Sequence, residues 1–209
     1  MIDRFLMPVQ KVLLAPSARA LVALGATADR ISVAGFALGV LGFGCLALGW
    51  FAAGLVLIAA NRIADGLDGA VARLLGPTDR GAFIDIALDF VFYALVPLGF
   101  ALADPASNAL PAALLITAFV GTGSSFLAYA SIAAKRGLVA EAHPSKGIYY
   151  LGGLTEGFET IAVFGLMCLW PAAFPWLAGV YAALCTITTL TRWYQGWVTF
   201  GPETATTQE

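Results

Sequence analysis

Four aspartates, Asp65, Asp68, Asp85 and Asp89, lie in the stretch Ala64 to Phe90, which reads ADGLDGAVARLLGPTDRGAFIDIALDF and is bounded on both sides by long apolar runs. An ionised side chain inside a membrane costs several kcal/mol unless it is paired, hydrated or metal-bound, so these carboxylates are functional candidates by default. Asp65 and Asp68 are spaced i, i+3 and Asp85 and Asp89 i, i+4, which puts each pair on one helix face. The short connection from Leu74 to Arg80 makes the two helices antiparallel neighbours, with Asp68 about 9 Å below the turn and Asp85 at a similar depth. The two acidic faces are therefore expected to converge. Four clustered carboxylates repel one another, and hard cations that prefer oxygen ligands, Mg²⁺ or Mn²⁺, relieve that repulsion. Two such ions could clamp a diphosphate and spread the charge of a transition state. Zinc is disfavoured, because no Cys or His stands at a suitable spacing.

Gly66, Gly69 and Gly81 bracket the acids without side chains, which would let a ligand approach the backbone, although helix packing accounts equally well for Gly66. Arg73, within two turns of the acids, is either a phosphate ligand or a basic residue reaching the membrane surface. Arg62 is read as a local partner for one of the acids. The single histidine, His143, sits beside Pro144 in a polar connection, so a histidine-based catalytic cluster is excluded. Cys45, Cys168 and Cys185 fall in separate apolar runs and read as packing residues.

The elements that position these groups follow from composition. The chain has 209 residues, 60% hydrophobic and 11% charged, with net charge −2 and mean hydropathy +0.85, far from the balance of a soluble domain. An all-α, polytopic membrane protein is expected, with six transmembrane helices at roughly 31–50, 52–73, 82–103, 110–134, 152–170 and 175–197. Residues 1–30 form an interfacial N-terminal segment, 31–200 a single six-helix domain and 201–209 a loose polar tail. Met1 to Pro16 lacks the continuous apolar core of a cleaved signal; Phe5, Leu6, Val9, Val12 and Leu13 at helical spacing suggest a helix lying at the headgroup boundary. The connections Trp50–Phe51, Asp104–Ala109 and Pro171–Pro175 hold no Lys or Arg, so basic residues collect on one side, placing both termini and the active site in the cytoplasm of, by this expectation, a bacterial inner membrane. The 23 glycines fit close helix packing in lipid. No basic stripe with interleaved aromatics exists, which excludes nucleic acid as a partner.

The order Asp65-x2-Asp68-Gly69-x2-Ala72-Arg73, then Gly81-x3-Asp85-x3-Asp89, resembles the signature of the CDP-alcohol phosphatidyltransferases, and Asp29-Arg30-Ile31-Ser32-x2-Gly35 resembles that family's entry to the first helix. The resemblance implies a six-helix membrane fold, a homodimer and a cytoplasm-facing cavity. It implies that Asp65, Asp68, Asp85 and Asp89 ligate the metals and that Asp89 also deprotonates an acceptor hydroxyl. Gly69, Arg73, Thr78 and Gly81 would contact the CDP portion, with Asp29, Arg30 and Ile31 closing over it.

The commoner donor in that family is CDP-diacylglycerol, transferred to a small alcohol with release of CMP; a CDP-linked head group transferred to diacylglycerol is the reversed arrangement. Lys135, Lys146, Glu156 and Glu159 are the candidate acceptor-binding residues, together with Arg136 on the same side. Relatives that use a phosphorylated polyol resemble one another in having arginines near the start of the fifth helix. Here GLTEGFET carries Glu156 and Glu159 instead, which favours a neutral or cationic alcohol, unless both glutamates pair with nearby Lys or Arg. Two readings from other classes remain at this point: a cation transporter with mid-depth carboxylates, and an inactive assembly subunit.

Overall fold

The computed structural model describes residues 3–138 and 153–201, with side chains from residue 13 onward, so Lys146 and His143 lie outside the described residues. Among the described residues the chain is all-helical: α1 (Asp3–Ala23), α2 (Ala28–Ala47), α3 (Phe51–Leu75), α4 (Asp79–Ala103), α5 (Pro105–Lys135), α6 (Gly157–Leu169), a 3₁₀ turn (Pro171–Ala173) and α7 (Phe174–Thr199). Four segments are long and apolar enough to cross a membrane: α2, α4, α5 and 171–199. With its many lipid-compatible exposed side chains, this is a multi-pass membrane protein. Six spans were expected, and the difference has two local causes. α3 has 25 residues but carries Arg62, Asp65 and Asp68 in its apolar run, and α6 has 13 residues, starting at Gly157 rather than 152. Thirteen residues extend about 20 Å, short of a hydrocarbon core of about 30 Å.

The N-terminal helix docks on α3 through a face other than the one carrying Leu13. Ala18 is fully buried against Ala70 and Val71 of α3, with Leu14, Leu21, Val22 and Ile31 around them, whereas Leu13 is 75% exposed. α1 is thus docked on α3 by a small-residue contact.

α2 is the central rod for the site. It packs on both α3 and α4, and these two helices pack far more on α2 than on each other. Close approach is made possible by a glycine stripe at Gly35, Gly39 and Gly42. A methyl at Gly35 would come within 2.8 Å of Ala64 Cβ, and one at Gly39 within 2.7 Å of Phe92 Cδ2. Small side chains are what let helices approach in lipid, where apolar burial alone gives little drive. The expectation that α3 and α4 are direct antiparallel neighbours is corrected accordingly: they diverge across α2, which leaves a cleft between the acidic faces.

The link between them is three residues long. Gly76 adopts φ +97°, a left-handed conformation that ends α3. Thr78 then caps α4, its Oγ1 accepting from Gly81 N–H at 3.0 Å. Farther from the cleft, Phe51, Phe100 and Phe174 stack with ring centroids 5.2 and 4.5 Å apart, and Phe92, Val96, Leu115, Phe164 and Met167 complete the core. Cys168 and Cys185 are buried free thiols, as their apolar context implies. All five tryptophans are exposed, Trp50, Trp170 and Trp176 near one set of helix ends and Trp193 and Trp197 near the end of α7, a distribution suited to interfacial belts.

Candidate active site

Asp65 and Asp68 leave the same face of α3 because three residues make nearly one turn, and Asp85 enters from α4 about two turns after its cap. One carboxylate oxygen from each of the three lies within 4.8 Å of the others. Oxygens on opposite sides of an octahedral ion with bonds of about 2.1 Å are about 4.2 Å apart. Neighbouring oxygens on such an ion are about 3 Å apart, so small side-chain adjustments, up to about 1.8 Å for a pair, would close the triangle on one hard cation. The donor set, all oxygen and without Cys or His, suits Mg²⁺ or Mn²⁺.

Asp89 stands apart from that triangle. Its Oδ1 accepts from Arg62 Nη2 at 2.9 Å, and Arg62 Nη1 lies 3.7 Å from Asp65 Oδ1. Arg62 is thus a local partner of the acids, as its position suggested, and it bridges two of them. Behind it, Arg62 Nε donates to Asn61 Oδ1 at 2.7 Å, and Asn61 Nδ2 donates to Gly35 O at 2.8 Å. The guanidinium also lies over Phe92, 4.3 Å from the ring centroid. Asp68 is 6% exposed and is oriented by the Ser32 hydroxyl, which donates to its Oδ2 at 2.5 Å, a length usual for a hydroxyl donating to a carboxylate.

The cleft at this point is small. Its interior volume is about 20 Å³, room for roughly one water-sized species. Ser32, Asn61, Arg62 and the four aspartates supply its polar lining, and Gly35, Phe36, Leu88 and Phe92 its apolar floor.

Three of the nucleotide-side candidates meet at the first turns of α2 and α4. Asp29 Oδ2 pairs with Arg80 Nη2 at 2.5 Å, tying the first turn of α2 to that of α4. A side chain at Gly81 would come within 3.2 Å of Asp29 Oδ1 and 3.1 Å of Thr78 Oγ1, so Asp29, Thr78 and Gly81 do meet. Arg30 and Arg73 are exposed, with Arg73 Nη1 lying over Gly69, 3.4 Å from where a methyl there would stand. Ile31 instead packs with Ala18, Ala70 and Val71.

Among the described residues, Lys135, Glu156 and Glu159 do not line the cleft. Lys135 is exposed at the end of α5, Glu156 caps the start of α6 and accepts from Gly153 N–H at 3.1 Å, and Glu159 lies in the first turn of α6. Arg136 donates to Thr199 O and Phe200 O at 3.4 and 3.2 Å, which joins α5 to the end of α7.

Asn61 is the site-forming residue that motif spacing passed over, and Ser32, although part of the first-helix motif, gains its role at the acids only in the fold. Asn61 was detectable in principle, since Asn61, Asp65, Asp68 and Ala72 follow one another at i, i+4, i+7 and i+11 along a single face of α3. Ser32 bonds a residue 36 positions away, and no local pattern carries that information.

An all-oxygen triangle of carboxylates on two consecutive apolar helices suits a hard cation and phosphate chemistry, and comparison identifies the family. Residues 26–197 match the CDP-alcohol phosphatidyltransferase family, and the chain belongs to it; it is an enzyme, a transferase of phospholipid biosynthesis. It is 54% identical over 199 residues to the inner membrane protein YnjF of Escherichia coli (strain K12), covering 95% of this chain and 97% of that one. Among solved structures it resembles the phosphatidylinositol phosphate synthase PgsA1 of Mycobacterium tuberculosis with CDP-DAG bound, at TM-score 0.64 and 26% identity over 88% of this chain and 93% of that one. The same synthase in complex with manganese and citrate superposes at TM-score 0.69 and 23% identity, over 88% of each chain, a likeness of fold. Transport by the carboxylates is set aside by the family assignment.

Proposed function

We propose that the protein transfers a phosphatidyl group from CDP-diacylglycerol to a small neutral or cationic alcohol, with release of CMP and dependence on Mg²⁺ or Mn²⁺. The observation that carries this is the convergence of Asp65, Asp68 and Asp85 from two helices on a single point beside the cleft. CDP-DAG bound to a relative of the same fold supports the donor. In the reaction the acceptor hydroxyl oxygen attacks the phosphorus that bears diacylglycerol, the bond from that phosphorus to the bridging oxygen breaks, and CMP departs with the electron pair. A bound divalent ion would supply positive charge to the diphosphate oxygens as the leaving group forms.

The chain's own residues do the rest. Asp65, Asp68 and Asp85 hold the ion, with Ser32 fixing the direction of Asp68. Asp89, held through Oδ1 by Arg62, takes the acceptor's proton on Oδ2. Gly69 permits the diphosphate to approach the α3 backbone, and Arg73 binds a phosphate oxygen. Asp29, Thr78 and Gly81 frame the cytidine, with Arg30 exposed beside them, while Ile31 supports this turn from the α1–α3 side. A second ion, expected from four acids, would need Asp89 to exchange Arg62 for metal.

In the membrane, α3 and α6 complete six spans together with the four apolar segments, with both termini and the cleft facing the cytoplasm and two chains forming a homodimer. Glu156 and Glu159 would disfavour an anionic acceptor approaching along α6. The test is CMP release by purified protein given CDP-diacylglycerol and a panel of alcohols, with Asp85→Asn as control. The proposal expects Mn²⁺- or Mg²⁺-dependent CMP release with glycerol-like or amino alcohols. Preference for glycerol 3-phosphate or inositol phosphate would overturn the acceptor assignment, and label passing from a CDP-linked head group to diacylglycerol would overturn the donor.

A further inference from the structure

We infer that Arg62 is a built-in cation occupying the place of a second metal ion, so that the site takes one divalent ion per chain. This rests on the proposed metal role of the aspartates and deepens it.

The guanidinium lies between the two carboxylates that a second, bridging ion would use. It bridges Asp89, the one acid outside the three-oxygen triangle, and Asp65, which belongs to it, at 2.9 and 3.7 Å. Two-metal sites hold their ions about 3.5–4 Å apart, and bridging a shared carboxylate and a further one is the task of the second ion. Here an arginine side chain does it from within the helix.

The guanidinium is also held from several directions by residues of α3 and α4, which α2 supports in turn. Nε is bonded to Asn61 Oδ1, and the amide of Asn61, itself 3% exposed, cannot turn because its Nδ2 is committed to Gly35 O. One face of the guanidinium rests over the buried Phe92 ring from α4, and Tyr93 stands 5.6 Å away. Phe92 in turn is pressed against Gly39 of α2, where even a methyl would meet it at 2.7 Å. A side chain gripped in this way does not swing aside to admit an ion, and a fixed positive charge repels a dication from Asp89. The three remaining acids each offer an oxygen within 4.8 Å of the others, enough to hold one ion after small side-chain adjustments. Arg62 is therefore a positioning residue: it sets the ion count and holds Asp89 in register with the acceptor.

Counting Mn²⁺ decides the matter. Free Mn²⁺ is followed by electron paramagnetic resonance during titration of purified full-length protein in detergent. One ion per chain is expected for the wild type and for Asp89→Asn, and a count approaching two for Arg62→Met, which keeps the apolar stem and removes the charge. Arg62→Lys should stay at one. Two ions in the wild type, loss of the ion in Asp89→Asn, or a count of one in folded Arg62→Met would overturn the inference while leaving metal binding intact. Should Arg62→Met not fold, the wild-type and Asp89→Asn counts still decide. No Mn²⁺ bound by the wild type would overturn both this inference and the metal role beneath it.

Discussion

Replacing Ser32 by alanine removes one hydroxyl and should weaken metal binding far more than it changes the fold. Ser32 Oγ reaches Asp68 Oδ2 at 2.5 Å, and Asp68 is 6% exposed, so bulk water does not compete for that oxygen. A hydrogen bond to a charged group contributes about 1.5–3 kcal/mol. If that energy is spent holding Asp68 in the ion-binding rotamer, its loss corresponds to roughly 10- to 100-fold weaker ion affinity, the range usual for partners that orient metal ligands. The removed group also donates charge stabilisation to the carboxylate, which works in the opposite direction by making the freed oxygen a better ligand. Orientation should prevail, because Asp68 must meet Asp65 and Asp85 within a triangle of 4.8 Å. Mn²⁺ titration of CMP release, alongside direct Mn²⁺ binding, separates these effects. Ser32→Ala should need more Mn²⁺ for half-maximal rate yet approach wild-type turnover at saturation, and Ser32→Thr should recover most of the affinity. An unchanged or tighter Mn²⁺ affinity in Ser32→Ala would refute the orienting role.

Asp89→Asn should lower turnover by about 10²- to 10⁴-fold, the usual worth of a general base, while Mn²⁺ affinity changes little; near-normal turnover with metal bound would remove Asp89 from that role. Gly39→Ala pushes a methyl against Phe92 and, at 3.3 Å, against Asn61 Nδ2; a loss of about 1–3 kcal/mol is expected, read as a lower melting temperature in detergent together with reduced activity. Thr78→Ala should cost about 1 kcal/mol through the lost cap of α4, and Thr78→Ser should restore it. If Thr78→Ser restores melting but not the Michaelis constant for the CDP-alcohol, the threonine contacts the nucleotide as well.

The acids were legible because charge in an apolar run is conspicuous and helical spacing converts it into a face: Asp65 with Asp68, and Asp85 near them, are where that argument puts them. The arrangement of the helices was less so. A short link between α3 and α4 suggested direct packing, but the glycines of α2 draw both helices onto it instead, and only the contact of Gly35 with Ala64 and Gly39 with Phe92 reveals this. The role of Ser32 at Asp68 and the part played by Asn61 were not legible, because hydroxyls and amides are cheap to place in helices and gain meaning only from distant partners. Arg62 was seen as a local partner, but its bridge to Asp89, 27 residues on, depends on how α4 leans. The acceptor side was the least legible: Lys135, Glu156 and Glu159 share a predicted membrane side with the acids, yet side alone does not bring them to the cleft.

The most direct test of the account is an anomalous difference map at the manganese edge from crystals of the wild-type protein grown with Mn²⁺. The account predicts a peak among the carboxylates of Asp65, Asp68 and Asp85. Strong Mn²⁺ density elsewhere with none among these three oxygens would contradict it.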